Sequence, residues 1–304
     1  MALQKLTSTD AFVVVDLPDA PASGVVRRGK KILQSSAKDL ARSATYSFGA
    51  FGVERSGASA GINAVDEAAS EAVAAFVSEL VPVAAERRLH LEPGKGVESA
   101  QLAELRAASG VGPHAGSEAV LVAGITAATA WAFGGSLAGR SVAIEGARSA
   151  PPLLRSSLMA AGATVVDVWG ATEKPWLVWG AEVDAILAGS KPGTLTHQAA
   201  GHVKARAVVP WGPLPVTTKA FAQLRQGDEV VVLPDFVTIA GGLLAGLTDG
   251  DEAAVTAAVV PRVTDVLEEA GAHPDGVLLG ACYQAEAFIE SWQGSKPFGR
   301  PLAA

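Results

Sequence analysis

AIEGARSAPPLLRSSLMAAGATVVDVWG, residues 143–170, has the order strand, turn, helix, strand. The apolar run 141–146 ends on a glycine, two prolines pre-set the start of a helix over 151–161, and a second apolar run covers 164–170. A strand joined by one helix to a second strand of this kind is the building unit of a parallel sheet. Further along lie VDAILAG (183–189), RAVVPWG (206–212) and EVVVLPD (229–235), each an unbroken apolar run of the type buried on both faces of such a sheet. TLTHQAAGHV (194–203) and TTKAFAQLRQ (217–226) can supply crossover helices, and a mainly apolar helix over 117–134 precedes the first strand. The pattern predicts an α/β fold: a Rossmann-type doubly wound parallel sheet.

The chain before this region reads as a smaller α+β domain. AFVVVDL (11–17), GVVRRGKKIL (24–33), ATYSFGAFGV (44–53) and LHLEPGKGV (89–97) carry strand signals. Residues 65–81 switch to helical spacing, with Ala69, Ala72, Val73, Phe76, Val77 and Leu80 on one face. AASGVGPHAG (107–116) is a small, turn-rich hinge, and the tail 251–304 is mainly helical. The expected organisation is therefore an α+β domain over 1–112, a Rossmann-like domain over 113–250, and C-terminal helices over 251–304 that pack across the junction.

Composition narrows the function classes. The chain has 304 residues, 49% hydrophobic and 18% charged, with a net charge of −7. It lacks the concentrated positive charge that nucleic acid or an anionic membrane surface requires. The basic run Arg27-Arg28-Gly29-Lys30-Lys31 is the exception, and it reads as a solvated turn between strands. One cysteine, Cys282, excludes an intrachain disulfide and reads as an inert core thiol. The start MALQKLTSTD has no apolar signal core, so a cytoplasmic location is expected. Residues 119–139 carry no charge and are long enough to span a bilayer, but they are mainly Ala, Gly and Thr and lead directly into a strand, which favours a buried helix. His197 and His202 are five residues apart and do not share a helical face as an i, i+4 metal pair would; no metal site is expected. Nor do Ser149 and Ser156 have a nearby His and Asp to suggest a nucleophile.

The quoted stretch raises the question of what it can bind. Sheets of this type hold a diphosphate on free backbone N–H groups at a helix start, with glycines allowing close approach. Gly146 supplies the tight turn, but the positions that should be small are Arg148 and Pro151. Pro151 and Pro152 also remove two donors from the first turn of the helix. About twenty residues on, where an acid should grip a ribose, stand Trp169 and Gly170. Asp167 lies inside the strand and reads as structural. Trp169 either stacks on a flat ring or packs, and Arg148 either binds phosphate directly or forms a surface salt bridge or cap.

With those elements placed, residues 40–250 resemble the glutamate/leucine/phenylalanine/valine dehydrogenase family. The carriers are GASAGINA (57–64), LHLEPGKGV (89–97), VLVAGITAA (120–128), LAGRSVAIEGA (137–147), AGATVVDV (161–168) and KARAVVPWGPLPVTTKA with VVVLPDFVTIAGG (204–242). The resemblance implies that 1–112 is a substrate and oligomerisation domain and 113–250 a nucleotide-binding one, with hydride transfer to NAD or NADP in oxidative deamination, a small-molecule ligand in the cleft between the domains, and a homo-oligomer. It places the catalytic lysine on Lys95, where a buried, desolvated amine would work at neutral pH. Ser117 falls at the head of the first nucleotide-domain helix, near the nicotinamide.

The departures are equally specific. The family's carboxylate-pairing lysine falls on Val83, its Lys-Gly-Gly and following arginine on Ser59, Ala60, Gly61 and Asn63, and its nicotinamide-contacting asparagine on Ile239; its catalytic aspartate has no counterpart between 96 and 116. Three functions are compatible with this pattern: an oxidoreductase with altered substrate and an atypical nucleotide site involving Ser117, Gly146, Arg148, Trp169 and Ile239; a lapsed enzyme that binds a ligand or serves assembly; or non-redox chemistry on a phosphorylated or acyl ligand.

Overall fold

The computed structural model describes residues 1–227 and 230–303. It divides into two compact units, Met1–Gly116 with Ala285–Pro301, and Ser117–Gln284 with the residues from Leu302 on.

The first unit is built on a mixed sheet of β1 (Ala2–Lys5), β2 (Ala11–Val15), β3 (Ala22–Gly29), β4 (Ser56–Asn63) and β5 (Leu89–Pro93), in the order β1-β2-β4-β3-β5. β1 and β4 flank β2 antiparallel, while β3 lies parallel to both β4 and β5. Side chains alternate across the sheet. Phe12 and Val14 pack on Ala37 and Ala41 of α1 (Gln34–Ala50) on one face. Val13, Val26 and Ile62 pack on the other with Phe76 and Leu80 of α2 (Ala69–Arg87) and Leu105 of α3 (Ala103–Ala108). The stretch 66–86 is long and apolar enough to cross a membrane by length and composition. Here its Val73, Phe76, Leu80 and Ala84 lie in the core of this unit.

Two sequence expectations are corrected in this unit. ATYSFGAFGV is not a strand: residues through Ala50 finish α1, with Tyr46 and Phe48 fully buried. α1 approaches β4 closely, and a Cβ on Gly57 would sit 1.8 Å from the Ala41 carbonyl oxygen. Of the basic run, only Lys30 and Lys31 form an exposed bend; Arg27 and Arg28 lie within β3, opposite Gly61 and Ile62 of β4.

The second unit carries a wholly parallel sheet of β6 (Ser141–Ile144), β7 (Thr164–Val165), β8 (Ala185–Ala188), β9 (Ala207–Pro210) and β10 (Val231–Val232), in the order β10-β9-β8-β6-β7. Its helices are α4 (Glu118–Trp131), α5 (Pro152–Ala160), α6 (His197–Ala200), α7 (Thr218–Leu224), α8 (Asp235–Thr238), α9 (Ala240–Ala245), α10 (Glu252–Gly271) and α11 (Val277–Gln293), the last of which passes into the first unit at Ala285. The Rossmann-type reading holds, with shorter strands than the apolar runs suggested. Val166–Gly170 leave the sheet, and the 229–235 run contributes only Val231–Val232 before Asp235 opens α8. Glu229 lies outside the described residues. β7 and β8 flank β6 on opposite sides, so the chain reverses its direction of winding there. In open sheets of this kind, ligands bind beyond the carboxyl ends of the strands at such a reversal.

Gly57→Ala should destabilise the chain by about 3 kcal/mol or more, since helix and strand backbones must separate to admit one methyl group. Gly227→Ala, with nothing within 4 Å of the added carbon, should stay within about 0.5 kcal/mol. Urea denaturation of both variants checks the pair.

Candidate functional site

At the carboxyl end of β6 stands Glu145, 4% exposed and without a cationic partner among the described residues. Backbone and hydroxyl donors hold it instead. Its carboxylate accepts from the Gly189 and Ser190 amides at 3.1 and 3.0 Å, from the Ser190 hydroxyl, and from the Thr194 hydroxyl at 3.0 Å. Its carbonyl accepts from the Trp211 indole at 3.0 Å. A buried carboxylate needs this many donors to offset its lost hydration. The result ties the ends of β6, β8 and β9 together at the winding reversal.

Gly146 comes next with φ +64, and a Cβ there would lie 2.4 Å from the Ser190 Cβ. The turn survives because only glycine fits it. The Ser149 amide then donates back to the Gly146 carbonyl at 2.8 Å, Pro151 caps α5, and Pro152 is its first residue. The next backbone donor, Leu153 N–H, is already taken by the Glu118 carboxylate from the first turn of α4, at 2.9 Å. A negative side chain therefore occupies the favourable anion position at the start of α5.

Arg148 is exposed on this turn and makes no hydrogen bond or ion pair with the described residues. Asp167 pairs bidentately with Arg155 of α5 at 2.8 and 2.7 Å. Hydrogen bonding and charge from that arginine hold its carboxyl below the usual range. Two cavities open on either side of Gly146. One of 370 Å³ is lined by Gly146, Arg148, Arg155 and Asp167. The other, of 1030 Å³, is lined by Glu145, Trp176, Trp179, Lys191 and His202. Trp169, 94% exposed, lines neither.

The remaining residues singled out in the sequence lie elsewhere. Ser117 caps α4, accepting from the Val120 amide at 3.3 Å and donating to Glu252 at 2.9 Å. Ile239 is half-buried where α8 meets α9, and Ala240-Gly241-Gly242 start α9. Lys95, in the first unit, lies just after β5 with an exposed side chain, and its carbonyl accepts from the Arg28 amide at 2.9 Å. On β5 itself, buried His90 links Ser109 at 2.7 Å to Glu92 at 2.6 Å, and Arg106 meets the same carboxylate at 3.2 Å.

A dinucleotide held through its diphosphate at α5 does not fit these residues. Two donors are missing as prolines, the third serves Glu118, and a ribose meets Trp169 and Gly170 instead of an acid. Sequence reading identified the prolines but missed Glu118 and Glu145. Glu145 had a local signal, a charge closing a buried apolar run immediately before the turn glycine. Glu118 had none, being 35 positions from its partner.

Neither a family model nor a curated protein matches this sequence. Solved structures do share the fold. The hetero-hexameric glutamate dehydrogenase from Thermus thermophilus, in its leucine-bound form, aligns with a TM-score of 0.78 and 21% identity over 93% of this chain and 84% of that one. L-tryptophan dehydrogenase from Nostoc punctiforme aligns at 0.70 and 19% over 97% of each chain. Glutamate dehydrogenase from Peptoniphilus asaccharolyticus aligns at 0.66 and 14% over 92% of this chain and 86% of that one. The chain thus has the two-domain fold of the amino-acid dehydrogenases.

If Glu118 caps α5 as well as starting α4, Glu118→Ala should lower stability by about 1 kcal/mol, the usual size of a lost cap. Glu118→Gln, which keeps an acceptor oxygen, should recover much of it. Urea midpoints of the two variants distinguish this from a side chain that merely lies on the surface, for which neither would move.

Proposed function

We propose that this chain is a ligand-binding protein on a dehydrogenase scaffold, in which hydride transfer to a dinucleotide seated at α5 has lapsed. The observation that carries the reading is the Glu118 carboxylate on the Leu153 N–H, directly behind Pro151 and Pro152. A diphosphate brought there would meet a like charge instead of free donors, which is repulsive as well as undonated. The ligand room lies on either side of Gly146. Trp176 and Trp179 give the larger cavity apolar walls, and the smaller holds the unpaired Arg148 guanidinium.

The second reading, an NAD- or NADP-dependent oxidoreductase of altered substrate, draws on Arg148 and Lys95. Arg148 is exposed, unpaired and lines the smaller cavity, where a guanidinium could take a phosphate without backbone help. Lys95 keeps its place between two glycines at the end of a sheet strand.

Calorimetry separates the two. The first reading expects no heat of binding from NADH or NADPH up to about 1 mM, the upper end of ordinary KM values. Micromolar binding lost in Arg148→Ala, with turnover abolished by Lys95→Ala, would establish the oxidoreductase instead.

A further inference from the structure

The first unit contains an arginine whose surroundings differ from those of every other partly buried arginine around it. Arg28 pairs with Asp66 at 2.5 Å, Arg42 with Asp16 at 2.7 Å, and Arg106 with Glu92 at 3.2 Å. Arg55 donates to the Ser23 hydroxyl at 2.6 Å and to the Ala22 and Arg88 carbonyls at 3.4 and 3.1 Å. Arg27, on β3, donates through Nη1 to the Ser36 hydroxyl of α1 at 3.3 Å. Its Nε and Nη2 are buried and have no hydrogen-bond partner among the described residues, and no carboxylate there forms an ion pair with it.

The two unpartnered nitrogens are a matched pair. In a guanidinium, the Nε–H and the neighbouring Nη2–H lie parallel along one edge, the fork that meets both oxygens of a carboxylate; Nη1 points to the opposite side, where Ser36 already takes it. The strand pairing adds a second polar group. Arg27 stands beside Gly61 on β4, and two residues back on β4 stands Ser59, whose hydroxyl is fully buried and likewise unpartnered. Burial alone pulls Arg27 below the usual arginine range, with no acid to oppose it. A desolvated cation without an anion is unfavourable, and a bound anion would offset that cost.

We propose that Arg27 is a carboxylate-binding residue, receiving a small organic acid bidentately through Nε–H and Nη2–H. Two coplanar donors on a single positive charge suit a planar monoanion; a phosphate, with three acceptor oxygens and more charge, calls for more donors. The site lies in the other unit from α5, so it stands whichever way the dinucleotide experiment falls.

The test observes the arginine itself. In ¹⁵N-labelled protein, the arginine Nε–H signal that disappears in Arg27→Lys is that of Arg27. Titration with acetate, pyruvate, L-alanine and succinate, each at millimolar concentration, should shift that signal saturably for at least one of them, leaving the Arg42 and Arg55 signals in place. By calorimetry, the same acid should bind Arg27→Lys at least about tenfold more weakly, since an ammonium offers no fork. Both measurements leave the positive charge in place, so loss of folding does not imitate the result. An Arg27 signal unmoved by all four acids, undiminished binding in Arg27→Lys, or a shift produced by inorganic phosphate but by no carboxylate would each overturn the proposal.

Discussion

The buried carboxylate of Glu145 sets the geometry of the second unit's strand ends. It has no countercharge among the described residues and is satisfied instead by two amides and two hydroxyls of the loop after β8. That arrangement fixes the loop against the end of β6 and brings Ser190 to within a Cβ's clearance of Gly146. The turn is thereby locked, and with it the direction from which the chain enters α5. Removing one partner from such a network exposes the full desolvation penalty of the others, which is why it behaves as a unit.

The locked turn leaves α5 short of donors. A helix start offers a few free N–H groups, and those groups are what anions bind. Here two are replaced by proline rings and the next is satisfied by Glu118. The prolines suit the helix, since their fixed φ favours its first turn. The same residues that make α5 a well-formed helix therefore make it a poor anion seat. The fold is shared with the glutamate and tryptophan dehydrogenases, and a shared fold does not by itself fix what a helix start binds.

Much of the architecture was legible because it rests on periodicity. AILA and AVVP are buried along their whole length, as runs between helices on a parallel sheet must be. The errors have a common cause in tertiary contacts that leave no local mark. The aromatics of ATYSFGAFGV suggested a strand, yet Tyr46 and Phe48 are covered by packing in the helix α1. The charges of Arg27 and Arg28 suggested solvent, yet pairing of this part of β3 with β4 draws them into the sheet. A charge run reads as exposed only if its backbone is unpaired, and pairing is not visible one residue at a time. Of the candidate site, Gly146, Arg148 and the two prolines were readable from the motif, whereas Glu118 reaches α5 from another helix and Arg27 acquires its meaning from neighbours on two other elements.

Whether the Leu153 N–H belongs to Glu118 or to a ligand phosphate can be read on that amide itself. The measurement is the ¹H–¹⁵N signal of Leu153 during titration with NADH. An amide held by the protein's own carboxylate should stay at its free position throughout, while in Glu118→Ala it moves to a new position before any nucleotide is added. A saturable shift of the wild-type Leu153 signal with NADH would contradict the account, because it would mean that the dinucleotide displaces the carboxylate and takes the helix start for itself.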